Sequence, residues 1–426
     1  MIKVLFIKTT FIVYCILISQ NLNAINNINL TMEQAVNMAY KHKPSLKAKK
    51  FTIQASKHSE KSALSGYFPQ ITINQSNKYA TGIKGLQSSF GIQTNQLIYS
   101  FAGPLEKYKI AKKGTAITKH DEETHKDLVK FEVETSFLQS WLLQKKNEFI
   151  KTLNIASKEK FNKSKHQNDL NLLGKNDWLN EIAIHAQNLS TVHIYTDELD
   201  NAQNKLEFLI GKSFDKDIKK ITLVWDKKKE ITLKNLNYYY NLSLKNRKEL
   251  KGKQKEIEQQ EEYKKFHIKN YLPSVSISGQ SSRRGEFLSN TKGNACNSIS
   301  LQFNWNILDG GASYHESNKA NANRLKALME KNHYSQQIKY EVEKAYNDLS
   351  SCLKQLAAKD IKLTQAKNEF DLAKLKFKIG DISKTDFDQT KNNWETEDFD
   401  WTTLKVAASI KERQLIYACG YPKILI

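Results

Sequence analysis

Apolar residues recur through the second half of the chain in alternating steps of four and three residues. The longest run passes through Ala345, Leu349, Cys352, Leu356, Lys359, Leu363, Ala366, Phe370, Ala373 and Phe377. A second run passes through Phe387, Thr390, Trp394, Glu397, Trp401, Leu404, Ala408, Lys411, Leu415 and Ala418. A repeat of 3.5 residues is typical of coiled-coil packing. The pattern therefore predicts two long helices that pack along one seam, with Lys359 as a charged interruption in the first.

The first half shows a similar rhythm. Its apolar positions are Leu128, Phe131, Leu138, Leu142 and Phe149, followed after a break at Gly174 by Leu189, Val192, Leu199, Leu206 and Leu209. Residues 104–173 contain no proline after the first position. A helix over this range would have about 70 residues and a length of roughly 100 Å. This length predicts an extended helical assembly instead of a globule.

Two shorter regions alternate between polar and apolar residues, which predicts β-strands. Residues 298–307 alternate without exception, and Val275 and Ile277 begin the partner strand. In the first half, Ile71 with Ile73 and Phe90 with Ile92 follow the same rule. The polar positions are Ser, Thr, Asn and Gln. One such hairpin fits a soluble protein as well, but two at equivalent places favour strands of a membrane barrel.

The order of these features is repeated. Tyr67-Phe68-Pro69 aligns with Tyr271-Leu272-Pro273 at an offset of 204 residues, and Gly211 aligns with Gly420 at an offset of 209. We therefore predict two structural repeats, residues 25–232 and 233–426. The first repeat would hold strands at about 69–100 and a helical tip near 174, and the second strands at about 273–307 and a tip near 380.

Four strands are too few for a membrane barrel, since bacterial barrels begin at about eight strands. An open sheet edge in lipid would leave backbone groups without partners. The chain is therefore expected to oligomerise, with two copies giving eight strands and three giving twelve. The pattern alone leaves the number of copies open.

Residues 1–24 are predicted to be a cleaved secretory signal peptide. Lys3 and Lys8 precede an apolar stretch at residues 11–18, and the segment ends at Ala24. This layout is typical of exported proteins. The apolar stretch is too short for a transmembrane helix.

The formal net charge of +21 raises the question of nucleic-acid binding. Only five of the basic residues are arginine, and the lysines are interspersed with Glu, Asn and Gln. Such a distribution indicates solvated helix faces instead of a phosphate-binding stripe. Together with the export signal, it excludes a nucleic-acid partner.

Four segments, taken in order, resemble the TolC-type outer-membrane efflux proteins. They are LTMEQAV at residues 30–36 followed by Ala39 and Pro44, YFP at 67–69, ILDGG at 307–311 followed by Ala320, and KIGDIS at 378–383. The resemblance covers almost the whole chain after the signal segment. It implies a mainly α fold in which a trimeric β-barrel in the outer membrane continues into a periplasmic barrel of coiled-coil helices.

The resemblance also implies a function. Such proteins form channels for passive export, as efflux or as type I secretion, of substrates handed over by an inner-membrane transporter and a periplasmic adaptor (membrane-fusion) protein. No cofactor is implied.

Both predicted tips pair a glycine with a residue that can cap a helix three positions later. Gly174 precedes Asp177, and Gly380 precedes Ser383. Glycine accepts the left-handed conformation that ends a helix, and Asp and Ser cap helix N-termini. By resemblance, the tips also line the entrance and contact the adaptor.

Asp386 lies six residues after Gly380, where the family has an acidic residue that narrows the entrance. In a trimer it would form a ring of three carboxylates that favours cations. Ser383 and Asp386 equally fit a capping box. Counted from Gly174, the matching residue in the first tip is Asn180. The family's tip tyrosine and arginine are replaced by Phe377 and Ile382, which argues against a hydrogen-bonded lock at the entrance.

Tyr67, Tyr99 and Trp305 lie at hairpin ends, where an aromatic girdle is expected. Trp394 and Trp401 fall on the heptad seam, which favours a packing role. The sequence shows no catalytic triad, metal-ligand cluster or phosphate loop. Two alternatives remain at this level: a secreted coiled-coil structural or adhesive protein without a pore, and a periplasmic adaptor, which is disfavoured because the chain has two helical hairpins.

Overall fold

The computed structural model describes residues 28–79, 87–213, 221–226, 230–286 and 295–422. The predicted signal peptide, residues 1–24, lies outside the described residues.

The described residues form a mainly helical fold that includes two β-hairpins, as the sequence predicts. The helices are α1 (Met32–His42), α2 (Pro44–Leu64), α3 (Pro104–Asp169), α4 (Lys175–Ile210), α5 (Leu236–Asn246), α6 (Lys248–Lys269), α7 (Ala312–Ile379) and α8 (Lys384–Ala418). The strands are β1 (Ile28–Thr31), β2 (Gln70–Lys78), β3 (Gln87–Ser100), β4 (Ile221–Val224), β5 (Ser274–Glu286) and β6 (Ala295–Asn304). The division into repeats at residues 25–232 and 233–426 stays a prediction.

The chain divides into two compact units. The first, here called the helical unit, comprises Met1–Pro44, Lys126–Tyr238 and Glu343–Ile426. The second, here called the sheet unit, comprises Ser45–His125 and Tyr239–Val342.

In the helical unit, four long helices lie in the order α4, α3, α8, α7. Stacked ring pairs establish this order: Phe161 with Trp178 between α3 and α4 (5.4 Å), Phe149 with Phe399 between α3 and α8 (5.1 Å), and Phe370 with Trp394 between α7 and α8 (5.0 Å). Helices α4 and α7 are therefore the two outer helices of this layer.

The seam predicted for α7 and α8 is confirmed over most of its length, whereas Phe377 at its end is 40% exposed. Ala345, Leu349, Ala366 and Ala373 are buried on α7. Lys359 does not leave the seam, because its ammonium lies 2.7 Å from the Glu397 carboxylate and 2.8 Å from that of Asp400. Lys359 and Glu397, which interrupt the apolar positions of α7 and α8, therefore form an ion pair with each other.

The seam predicted for α4 is wrong at Leu189, whose side chain is 40% exposed. The position one residue earlier faces α3 instead, where the Asn188 amide donates to the Ser157 hydroxyl at 2.7 Å. A polar contact occupies the seam here, so an apolar periodicity count selects the wrong neighbour.

The end of α8 is fixed to α3 by a buried polar contact. Tyr421, in the left-handed region at φ 46°, donates from its hydroxyl to Glu134 Oε2 at 2.8 Å. Burial, together with the Glu134 charge, raises the pKa of Tyr421, so the hydroxyl remains a donor. The short strands β1 and β4 pair in parallel in the same unit.

The sheet unit contains a four-stranded antiparallel sheet in the order β2-β3-β5-β6. The two hairpins pair with each other through β3 and β5, with Gln93 opposite Gln280. Strands β2 and β6 are consequently the edges of this sheet.

The register gathers most of the large apolar residues of the sheet on one face, where Gln75, Thr94, Gln96, Ser281, Arg283 and Asn297 also lie. The apolar face carries Ile71, Ile73, Phe90, Ile92, Tyr99, Val275, Ile277, Ile299, Leu301 and Phe303. Along β6 the opposite face presents Cys296, Ser298, Ser300, Gln302 and Asn304. Serine hydroxyls link neighbouring strands on this face, Ser76 to Ser89 at 2.8 Å and Ser278 to Ser300 at 2.7 Å.

Two details of the strands differ from simple alternation. The β3–β5 register shifts between Leu97 and Tyr99, which places Tyr99 opposite Val275 on the apolar face. A bulge that adds one residue has this effect. Strand β6 ends at Asn304, three residues before the predicted end at Ile307, and the Trp305 indole donates to the Tyr271 carbonyl at 3.0 Å.

Ion pairs join the helices of the sheet unit. The Lys113 ammonium on α3 lies 2.5 Å from the Glu258 carboxylate on α6. The Lys269 ammonium on α6 lies 2.9 Å from Glu106 on α3. Many lysines that produce the high net charge thus have specific carboxylate partners. Among the described helices, none is both long enough and apolar enough to cross a membrane.

Candidate functional site

The turn between α7 and α8 follows a Schellman motif. The Gly380 amide donates to the Phe377 carbonyl at 3.2 Å, and the Asp381 amide donates to the Lys376 carbonyl at 3.0 Å. Gly380 has a φ of 79°, in the left-handed region that glycine adopts without steric cost. The predicted role of Gly380 as the helix-ending residue is confirmed.

Ser383 begins α8 as its N-cap. Its hydroxyl accepts from the Asp386 amide at 3.1 Å and donates to Asp386 Oδ2 at 2.7 Å. The Asp386 carboxylate therefore bonds the capping hydroxyl. Asp386 is exposed at the first turn of α8, where the positive end of the helix dipole favours a negative charge.

The turn between α3 and α4 has the same hydrogen bonds, formed by different residues. The Asn171 amide donates to the Asn168 carbonyl at 2.9 Å, and the Leu172 amide to the Gln167 carbonyl at 2.8 Å. Asn171 has a φ of 56°. Asparagine is one of the few residues besides glycine that accept this conformation.

The expectation that Gly174 ends α3 and that Asp177 caps α4 is therefore wrong. Gly174 is itself the N-cap of α4, with an extended backbone at φ −66°. Asp177 lies in the first turn of α4, three residues after this cap. The physical reason is that Asn171 already supplies the left-handed residue.

The two turns consequently match position by position at an offset of 209 residues. Asn171 matches Gly380, Gly174 matches Ser383, and Asp177 matches Asp386. The match of Asp386 with Asn180, derived by aligning the two glycines, is replaced by Asp177. Each turn thus presents one exposed carboxylate at the third residue of its returning helix.

Aromatic rings pack directly behind both turns. At the second turn, the rings of Phe377 and Phe387 stack with centroids 4.9 Å apart, and Phe370 stacks on Trp394. At the first, Phe161 stacks on Trp178 and, at 4.3 Å, on the His185 imidazole. The packing role predicted for Trp394 agrees with its stacking on Phe370. Phe377 makes a ring contact where the family's tyrosine would offer a hydroxyl.

The three candidate girdle residues lie at one end of the sheet. Tyr67 precedes β2, Tyr99 lies near the end of β3, and Trp305 follows β6. Trp305 and Tyr99 are each about half exposed, at 54% and 51%. The Tyr99 ring contacts that of Phe101 edge to face at 4.9 Å. Their role at a membrane surface stays a prediction.

Two functional features were missed by sequence reasoning. The Asp177–Asp386 equivalence could have been found by applying the 209-residue offset to the turns instead of aligning glycines. The second is the continuity of the polar face across all four strands, because it depends on the register between hairpins.

Comparison with known proteins agrees with this architecture. Residues 239–420 match the family described as outer membrane efflux protein. No curated protein matches the chain by sequence.

Solved structures of similar fold include the CmeC outer membrane channel of Campylobacter jejuni, with a TM-score of 0.71 at 16% identity, covering 92% of this chain and 85% of that one. A membrane protein from Pseudomonas aeruginosa gives 0.70 at 14% identity, covering 91% and 92%. The open-state MtrE outer membrane channel of Neisseria gonorrhoeae gives 0.69 at 12% identity, covering 91% and 88%. These likenesses show a shared fold over about nine-tenths of the chain, and the match to the outer membrane efflux protein family covers residues 239–420 of it.

Proposed function

We propose that three copies of this chain form a passive channel that crosses the outer membrane and continues into the periplasm. Residues 239–420 match the outer membrane efflux protein family, and CmeC and MtrE, which share the fold, are outer membrane channels. The sequence resemblance implies work with an adaptor and an inner-membrane pump. In the proposed assembly, an inner-membrane transporter supplies the energy, a periplasmic adaptor connects the two, and the channel itself performs no chemistry.

The single observation that carries the proposal is the two-faced sheet with two open edges. The face that holds most of the large apolar residues suits contact with lipid, and the opposite face, which is rich in hydroxyl and amide groups, suits contact with water. The edge strands β2 and β6 need partners, because unpaired backbone groups in lipid cost several kcal/mol each. Pairing β6 of one copy with β2 of the next would supply hydrogen-bond partners to the backbone groups of both edge strands. Three copies would then give a closed sheet of twelve strands.

The helical tips are proposed as the periplasmic entrance. Gly174, Asp177, Gly380 and Ser383 form the two turns, and Asp177 and Asp386 supply their carboxylates. In a trimer, each aspartate would form a ring of three charges, and such rings favour cations. We assign adaptor docking to the same turns, whose exposed apolar residues include Leu172 and Ile379.

The test is single-channel conductance of the detergent-purified protein in a planar lipid bilayer. Discrete, long-lived pores are expected at low protein concentration. A secreted coiled-coil protein, the alternative from the sequence, would instead remain soluble without detergent and would produce no conductance steps in the bilayer. That result would contradict the channel proposal. The family match over residues 239–420 gives the alternative no support.

A further inference from the structure

One cation lies on the apolar face of the sheet, the face that holds most of its large apolar residues. Arg283 follows Val275 and Ile277 on this face of β5. The register places it opposite Phe90 on β3 and Ala295 on β6. Among the residues that β2, β3, β5 and β6 place on this face, Arg283 alone carries a charge. Charged side chains on a surface suited to lipid are rare and usually functional.

Arg283 lies near the end of the sheet that is remote from the helices. Helix α6 ends at Lys269, just before β5, so Val275 marks the opposite end. Arg283 follows Val275 by eight positions, which is about 27 Å along a strand. With the tilt of roughly 40° that is usual in membrane barrels, the difference in height is about 20 Å, close to the apolar band of about 25 Å. In the proposed channel, Arg283 therefore lies near the outer surface of the membrane.

Arg283 has no carboxylate neighbour on its own face of the sheet. The described residues of the four strands include no Asp or Glu on that face, and Arg283 is exposed. A guanidinium binds phosphate through two parallel hydrogen bonds. At a membrane surface, the phosphates of anionic lipids are the anions at hand. The partner that suits Arg283 is therefore a lipid phosphate.

A groove opens beside Arg283, toward the middle of the sheet. Gly279 lies four positions earlier on the same face, and no atom lies within 4 Å of a Cβ added there. The groove has a volume of about 510 Å³, and its lining on this face includes Ile92, Thr94, Ser281, Asn297 and Ile299. Ser281 and Asn297 are directly opposite each other, in the row between Gly279 and Arg283. The surface thus changes from apolar to polar to cationic along β5.

We infer that this surface binds a phosphorylated lipid of the outer leaflet, with a phosphate on the Arg283 guanidinium and an acyl chain in the groove at Gly279. The order of groups along β5 is the order of chain, ester or hydroxyl group, and phosphate in such a lipid. The residues belong to β3, β5 and β6 of one chain, so each chain carries a complete site. The inference rests on the proposed channel, in which this face contacts lipid.

The first test is equilibrium binding of fluorescently labelled diphosphoryl lipid A, a phosphorylated lipid with several acyl chains, to the detergent-purified protein. Saturable binding of one lipid per chain is expected. Arg283→Gln should weaken it by about tenfold, because a charge-assisted hydrogen-bonded pair is lost. Arg283→Lys should fall between the two, since an ammonium keeps the charge without the planar fork. Lys78→Gln is the matched control, because it removes a charge near the same end of the sheet from the opposite face.

The second test separates a lipid site from a site for small anions. Unlabelled lipid A should displace the labelled lipid, whereas the same lipid without its phosphates, or inorganic phosphate at equal concentration, should not. Gly279→Phe, which fills the groove, should weaken lipid binding several-fold while the oligomer stays folded, because the added Cβ meets no other atom. Displacement by inorganic phosphate, or unchanged binding in both Gly279→Phe and Arg283→Gln, would overturn the inference.

Conductance recorded on the same preparations separates this inference from the channel proposal. Pores without saturable lipid binding, or equal weakening in Lys78→Gln and Arg283→Gln, overturn the lipid site and leave the channel standing. Preparations that show neither pores nor lipid binding overturn both. Pores together with binding that depends on Arg283 support both.

Discussion

Asp177 and Asp386 occupy the same position in two turns that share little sequence. Each is the third residue of a returning helix, three residues after a cap that is Gly174 in one turn and Ser383 in the other. The sequence alone pointed to one aspartate per chain at the entrance. The structure shows two equivalent carboxylates, so a trimer would present six.

The first prediction concerns ion selectivity. Asp177→Asn and Asp386→Asn should each lower the cation preference of the channel by roughly twofold, and the double variant by more, since each substitution removes one ring of charge. Reversal potentials in a salt gradient measure this preference. Asp381→Asn is the matched control, because Asp381 is exposed in the same turn and its counterpart in the first turn is the uncharged Leu172.

An unchanged reversal potential in the double variant would leave both aspartates only the role of favourable charges in the first turn of a helix. A shift in Asp386→Asn alone would show that only the second turn approaches the channel axis.

The second prediction concerns the backbone of the tips. Gly380→Ala should destabilise the second turn by about 1–2 kcal/mol, because alanine is strained at positive φ. No neighbouring atom lies within 4 Å of the added Cβ, so the cost is purely conformational. Amide hydrogen exchange at residues 376–383 should accelerate locally.

Gly174→Ala is the control glycine, because its φ of −66° suits any residue and the added Cβ would meet only Asp177 Oδ2, at 3.0 Å, on an exposed side chain that can turn away. It should leave exchange at the first turn nearly unchanged. Asn171→Gly should slow exchange there, since it removes the strain of a left-handed asparagine. Equal effects of Gly380→Ala and Gly174→Ala would contradict the assignment of the left-handed positions.

The third prediction concerns the ion pairs in the seam of α7 and α8. Lys359→Met should lower the midpoint of chemical unfolding, because it leaves Glu397 in the seam without its ammonium partner. The cost of breaking a fully buried pair is about 3–5 kcal/mol, and the cost here should be smaller because Lys359 and Glu397 are 16% and 23% exposed.

Lys359→Met combined with Glu397→Leu should recover most of that loss, since apolar replacement of a buried pair is often neutral or stabilising. The unfolding midpoint of each variant is measured by the loss of helical circular dichroism as guanidinium is added. A double variant no more stable than Lys359→Met would show that the Lys359–Asp400 contact dominates.

The fourth prediction concerns acid stability of the sheet unit. The hydrogen bond from Lys113, which outweighs burial, lowers the pKa of Glu258 below its ordinary value of 4.5. A depressed folded-state pKa stabilises the protein above the unfolded value and loses that effect as pH falls through the folded value. At pH 7, Glu258→Gln should cost less than about 1 kcal/mol, because the pair is partly exposed.

The difference in thermal stability between Glu258→Gln and the unmodified chain should shrink as pH falls below 4.5, where the carboxyl becomes protonated. Thermal unfolding between pH 3 and pH 7 provides the comparison. Glu261→Gln, on the same helix and half exposed, should differ little from the unmodified chain at any pH. A constant difference across this range would show that Glu258 contributes through packing instead of charge.

Much of this fold follows from periodicity, because its elements are long and regular. The seam through Leu349, Ala366 and Ala373 and the alternation through Ile299 and Leu301 each repeat a simple spacing. Prediction failed where an asparagine occupied a position expected for another residue type. Asn188 replaced Leu189 at the seam, and Asn171 replaced Gly174 as the left-handed residue. In both cases a local hydrogen bond or backbone preference decided the geometry, and composition carries little information about either.

The unpaired edges of β2 and β6 also constrain how the protein is made. A single subunit displays a largely apolar sheet face and, along β2 and β6, two edges of backbone donors and acceptors, which together are a template for aggregation. The free subunit must therefore be shielded until it assembles. In the proposed trimer, substitutions that slow assembly should first appear as proteolysis and low abundance, before any defect in the finished channel.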